Sequence, residues 1–167
     1  MKLEPLFTSK ENQLYDLSGK LVPTDGCVVL KAESLNESYS VPSGNGRPYL
    51  IQISWKQIGL DETSYNEELL ASLRDFLKVL ESKNLFALME AASGEKELSA
   101  QQKSDFTASY KHCARRIKDC KSVIGFALPQ EVDPDEFAEE LSQKHAHYIY
   151  FTKNPSLLKD GSIVKYS

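Results

Sequence analysis

The sequence lacks a long hydrophobic run and an excess of positive charge, and each absence excludes a class of protein. No apolar run approaches the roughly 18 residues that span a membrane, and the first residues contain no apolar core of a signal peptide. The 20 basic residues are interleaved with 24 acidic ones, which gives a net charge of −4 and predicts no nucleic-acid partner. We therefore expect a cytoplasmic protein that binds neither a membrane nor nucleic acid.

Cysteine is also scarce, with three residues at positions 27, 113 and 120. Their spacing fits no metal-binding motif, and an odd number cannot pair completely within one chain, so buried reduced thiols are the expected state. The glycine pair in the segment 43–47 is followed by a strand pattern, whereas a phosphate-binding loop leads into a helix. We predict neither a metal nor an organic cofactor.

What the sequence does contain is a regular alternation of strand and helix patterns. Its 167 residues, of which 41% are hydrophobic, suffice for one domain with a substantial core, so we predict a single domain over 1–167. A Ser-Gly turn between two short apolar pieces predicts an N-terminal β-hairpin over 14–22. Short runs rich in apolar and β-branched residues predict further strands at 27–32, 49–55, 85–91, 122–128, 147–152 and 162–166.

The first helix is predicted from apolar residues that recur at spacings of three and four between Leu69 and Leu80. Ser64 and Glu67 precede this pattern at the spacing of a capping box, which places the start of the helix there.

Two further helices follow. Ser99 and Gln102 have capping-box spacing before a helical pattern that ends near residue 119, after a loop predicted over 93–99. Asp133 followed by Pro134 is typical of a helix start, because aspartate caps the free backbone N–H groups and proline fits the first helical position.

Buried strands that alternate with helices favour an α/β fold with a mainly parallel sheet of five to six strands and flanking helices. The sheet is either an open doubly wound layer or part of a TIM-barrel-like (β/α) barrel. Five or six strands cannot close an eight-stranded barrel, since closure requires matched strand number, tilt and shear. A second copy of the chain could cover the exposed edge in a homodimer.

In parallel α/β folds, functional residues lie at the carboxyl ends of the strands. Glu90 and Glu131 follow consecutive strands, and paired carboxylates can act as general acid and base. Trp55 could serve as a platform for a sugar ring, and Gln130 is a polar neighbour suited to bind substrate. The same rule also selects Lys31, Glu33, Thr152 and Lys153.

The segment IGFALPQEV at 124–132 resembles the motif that ends the fourth strand of cellulase-like glycoside hydrolases with a (β/α)8 barrel, Gly-(Phe or Tyr)-Glu-Leu-x-Asn-Glu-Pro. The hairpin at 14–22 is similar to that family's leading Asp-x-x-Gly-Lys segment. The segment LIQISW at 50–55 resembles its second strand, which often ends in Trp. The resemblance implies that Glu131 is the acid/base of glycosidic bond hydrolysis, and that the chain forms the first part of such a barrel.

The sequence departs from that family at several positions. Gln130 stands where the family has Asn, Val132 where it has Pro, and Leu50 where its second strand has Arg. The third strand closes on Glu90 instead of Asp-x-His, and the family's nucleophile belongs to a seventh strand, which the pattern does not predict.

We therefore predict a non-catalytic glycoside-hydrolase-like domain that binds a carbohydrate or a protein partner at the strand carboxyl ends. The alternative is a small glycosidase-like hydrolase that uses Glu131 and Glu90 as an acid–base pair. On a third interpretation, Glu131 is a solvated or helix-capping carboxylate without a functional role.

Overall fold

The structure, a computed structural model, describes residues 2–92 and 97–167, so part of the loop predicted over 93–99 lies outside the described residues. The chain begins with a three-stranded antiparallel sheet of β1 (Phe7–Lys10), β2 (Gln13–Asp16) and β3 (Leu21–Val22). β2 and β3 form the predicted hairpin. β1 is an additional strand that the sequence analysis missed, because its sequence FTSK contains a single apolar residue.

A second sheet contains six parallel strands, which confirms the predicted α/β fold. The strands lie side by side in chain order, as in a barrel. The doubly wound alternative is wrong, because that arrangement requires a reversal of strand order. The strands are β4 (Val29–Lys31), β5 (Tyr49–Ser54), β6 (Ala87–Ala92), β7 (Val123–Ala127), β8 (Ile149–Thr152) and β9 (Val164–Lys165).

In the part of the chain that the structure describes, four α-helices lie between these strands: α1 (Trp55–Ile58), α2 (Glu67–Ser82), α3 (Ala100–Arg116) and α4 (Pro134–Ser142). Short 3-10 turns lie at Ala32–Ser34 and Pro155–Leu157. Within the described residues, no helix is long and apolar enough to cross a membrane.

The predicted helix caps are confirmed for α3 and α4 and wrong for α2. Ser99 forms the capping box of α3, and Asp133 caps α4. The N-cap of α2 is Asn66, whose side chain accepts a hydrogen bond from Leu69 N at 3.1 Å. Ser64 does not cap because its hydroxyl hydrogen-bonds to the segment before it, 3.2 Å from a carboxylate oxygen of Asp61.

The two faces of the six-stranded sheet are covered differently. One face packs against the helices and forms the helix-side core, which includes Ile51, Met89 and Phe126 from the strands and Leu73, Phe76, Phe106, Tyr110 and Phe137 from the helices. Right-handed crossovers between strands in chain order place the helices on this one face. The opposite face contacts the N-terminal sheet through the inner cluster, which includes Phe7, Leu14, Leu50, Leu88, Ile124 and Phe151.

The three cysteines are buried and unpaired, as predicted. Cys113 and Cys120 lie in the helix-side core, and burial raises the pKa of each thiol to about 12. Such thiols stay protonated near neutral pH and are poor nucleophiles.

The edge strands of the main sheet are β4 and β9. The backbone N–H of Lys165 in β9 donates a hydrogen bond of 3.1 Å to the carbonyl of Asn12, so the N-terminal sheet lies against that edge. That a second copy of the chain covers the β4 edge in a homodimer stays a prediction.

A β-bulge interrupts β7. Ala87 and Leu88 are neighbours in β6, yet their partners in β7 are Val123 and Gly125, so Ile124 is an extra residue. Bulges bend a strand and redirect the side chains that follow. The bulge lies before the segment that carries Gln130 and Glu131, and it therefore affects the direction in which that segment leaves the sheet.

Candidate functional site

A cleft of about 730 Å³ lies at the carboxyl ends of β6, β7 and β8. We refer to it as the carboxyl-end cleft. Three of the four predicted site residues line it, namely Glu90, Gln130 and Glu131. Their roles stay predictions, but their convergence follows from the parallel sheet, in which all strands end at the same edge.

Glu90 is held in the cleft by polar neighbours on adjacent strands. Gln52 is its register partner in β5, and Gln52 Nε2 donates a hydrogen bond of 2.8 Å to Glu90 Oε1. Lys31 in β4 in turn donates to Gln52 Oε1. A row of polar side chains therefore crosses three neighbouring strands.

The second oxygen of Glu90 is engaged from the other side. Tyr166 donates a hydrogen bond of 2.5 Å from its phenol to Glu90 Oε2, and Lys153 Nζ lies 3.4 Å from the same oxygen. The Lys153 ammonium also lies 5.0 Å from the centroid of the Tyr166 ring. The side chain of Glu90 is only 15% exposed, both of its oxygens accept hydrogen bonds, and Lys153 balances its charge.

Burial, and then the hydrogen bond to Glu90, raise the pKa of Tyr166 well above its ordinary value. The phenol therefore remains a hydrogen-bond donor across the physiological pH range.

Tyr166→Phe is expected to lower the free energy of unfolding by about 2 kcal/mol, because it removes a buried donor to a charged acceptor and keeps the ring. Urea unfolding followed by circular dichroism would measure the loss. Tyr15→Phe is the matched control, since its hydroxyl donates to Gln13 Oε1 at an exposed position, and the expected change is within about 0.5 kcal/mol. Equal losses in the two variants would contradict the inferred importance of the Glu90 network.

Glu131 does not cap α4. The side chain of Asp133 accepts the N-terminal hydrogen bonds of that helix, from Asp135 N at 2.9 Å and Glu136 N at 3.0 Å. Glu131 is also not simply solvated, because its Oε2 atom is buried and accepts no hydrogen bond from the described residues. The interpretation of Glu131 as a capping carboxylate is therefore wrong. The neighbouring residue Gln130 is exposed at the cleft.

Trp55 is not part of the carboxyl-end cleft, which corrects the prediction that it binds substrate there. The capping box formed by Ser54 and Gln57 starts α1 at this point, and the indole packs into the helix-side core. Its Nε1 donates a hydrogen bond of 3.1 Å to Ser109 Oγ, and its ring meets that of Phe106 edge-on. With 6% of its surface exposed, Trp55 offers no platform to a ligand.

Two residues of the site were missed by the sequence analysis, Gln52 and Tyr166. Gln52 could have been identified from the sequence, because it is the one strongly polar residue within the strand YLIQIS, as Glu90 is within ALMEAA. A single polar residue in a buried strand is expected to have a partner. Tyr166 left no such signal, since it follows a strand of two residues and reaches Glu90 only through the folded sheet.

The fold is similar to that of the catalytic domain of the endoglucanase Cel5A from Thermobifida fusca, a structure in complex with cellotetraose. The TM-score is 0.51 at 12% sequence identity, and the match covers 87% of this chain and 52% of that chain. This chain thus spans about half the length of the endoglucanase domain. No protein-family model matches the sequence, and no curated protein does.

The similarity therefore shows the fold alone, an α/β fold whose strands lie in barrel order. It supports a distant resemblance to a glycoside hydrolase domain at the level of the fold. Across residues 2–92 and 97–167, no three His, Cys, Asp or Glu side chains are grouped so that they could hold a metal ion.

Proposed function

We propose that the carboxyl-end cleft binds a carbohydrate through hydrogen bonds and does not cleave it. The observation that carries this proposal is the convergence of Glu90, Gln130 and Glu131 on one cleft at the strand carboxyl ends. Sugar hydroxyls both donate and accept hydrogen bonds, so carboxylate and amide side chains around a cleft suit them.

The state of Glu90 argues against catalysis. A glycosidase needs one carboxyl group that is free to attack or to activate water and another that delivers a proton. Both oxygens of Glu90 already accept hydrogen bonds, and Lys153 balances its charge. Only Glu131 remains without such partners among the described residues, so one half of the required pair is occupied.

Glu131→Gln is expected to weaken oligosaccharide binding by about tenfold, because a hydrogen bond to a charged acceptor contributes more than one to a neutral amide. A glycan array with the full chain would identify a ligand, and titration calorimetry would measure its affinity. Glu139→Gln, at an exposed position of α4, is the matched control and should leave the affinity unchanged.

Two results would overturn the proposal. If no glycan binds and a protein partner is lost in Glu131→Gln, the cleft is a protein-binding site. If a chromogenic glycoside is turned over and the turnover disappears in Glu131→Gln, the hydrolase alternative with Glu131 and Glu90 is correct.

A further inference from the structure

The carboxyl-end cleft has an uneven charge balance. Its ionisable lining within the described residues consists of two carboxylates, Glu90 and Glu131, one ammonium, Lys153, and the phenol of Tyr166. Lys153 lies 3.4 Å from Glu90 and compensates that charge. The phenol is uncharged, because its pKa is raised by burial and by Glu90.

Glu131 is left without compensation. None of the described cations forms an ion pair with it, and the N-terminal donors of α4 are taken by Asp133. One of its oxygens is buried and accepts no hydrogen bond from the described residues. A buried carboxylate oxygen without a hydrogen-bond partner is unfavourable, so a feature of this kind requires a structural or functional reason.

A cation bound in the cleft would supply that reason. An ammonium group in the cleft attracts the carboxylate of Glu131 as a whole, so it stabilises the negative charge without having to contact the buried oxygen. A carboxylate or phosphate on the ligand would meet the same charge unfavourably.

We propose that the cleft selects an amino sugar, in which an ammonium group faces Glu131 and the hydroxyls contact the remaining polar side chains. This inference rests on the proposed carbohydrate binding and adds the charge of the ligand. On this proposal Glu131 determines the specificity for a cationic sugar. The Glu90–Lys153 pair carries no net charge and therefore does not distinguish neutral from cationic sugars.

The test is titration calorimetry on the full chain with three ligands of equal length: a glucosamine tetramer, its fully N-acetylated form, and cellotetraose. The pH is kept below the pKa of the glucosamine amine. The glucosamine tetramer is expected to bind about tenfold more tightly than the other two. Glu131→Gln should abolish this preference, and Glu139→Gln should preserve it, although both variants remove one negative charge.

A measurement without substitution serves as a second test. Raising the pH above the pKa of the amine should remove the preference in the unaltered protein, since the ligand then becomes neutral. Equal affinity for all three tetramers would overturn this inference and leave the proposed function intact. Absence of binding by all three would overturn this inference, whereas the proposed function fails only if the glycan array also shows no binding. A preference that survives in Glu131→Gln would overturn the role of Glu131.

Discussion

Gly125→Ala is expected to lower the free energy of unfolding by about 3 kcal/mol or more. A Cβ atom at this position would lie 1.6 Å from the carbonyl oxygen of Ile149 and 2.7 Å from its carbonyl carbon. Both are backbone atoms of the neighbouring strand β8, so no side-chain rotation can relieve the overlap. β7 and β8 would have to separate, and the ladder that pairs Gly125 with Ile149 would be lost.

The bulge in β7 explains why this position requires glycine. The extra residue, Ile124, interrupts the alternation of side chains, and the Cα substituent at position 125 consequently points toward the adjacent strand instead of toward either face of the sheet. Glycine inside a strand often marks such a bulge or a close backbone approach.

Urea unfolding and thermal unfolding, both followed by circular dichroism, would measure the effect. A loss of 3 kcal/mol corresponds to roughly 10 °C in Tm for a chain of this size. Gly161→Ala is the matched control, because the nearest atom to its added Cβ is Glu11 N at 3.5 Å, an ordinary contact. The explanation fails if the two variants unfold at the same urea concentration.

The fold class was predictable because buried strands and amphipathic helices leave local patterns. Four of the six residues of the segment YLIQIS are apolar and they fall on both faces, which indicates a strand inside a covered parallel sheet. Ser99 and Asp133 were recognised as caps because their hydrogen bonds connect residues within a single helical turn. The cap of α2 was missed because Asp61 engages the Ser64 hydroxyl, a competition that spacing does not reveal.

The candidate site was only partly predictable. The strands of a parallel sheet end at one edge, and this rule correctly predicted that Glu90, Gln130 and Glu131 lie close together. The same rule failed for Trp55, because it gives the end of a strand but not the direction in which the next side chain points. Tyr166 required the register of the whole sheet, since it meets Glu90 across 76 positions of sequence.

Phe137→Ala is expected to lower the free energy of unfolding by about 4 kcal/mol, the cost of removing a fully buried aromatic ring and leaving a cavity. Phe137 is the inward-facing ring of α4, and its centroid lies 6.0 Å from that of Tyr110 and 6.4 Å from those of Phe106 and Phe126. It therefore joins α4 to α3 and to β7. A helix of nine residues is not stable alone in water, so α4 depends on this packing.

Loss of this packing would also affect the carboxyl-end cleft, because α4 begins at the Asp133 cap, two residues after Glu131. Urea unfolding would measure the stability, and Leu60→Ala is the control, since Leu60 is 50% exposed and its truncation should cost less than about 0.5 kcal/mol. Phe137→Leu should recover much of the loss, because leucine refills part of the cavity. A Phe137→Ala protein as stable as Leu60→Ala would mean that α4 is held by contacts other than this aromatic ring, and Glu131 would then owe its position to the loop alone.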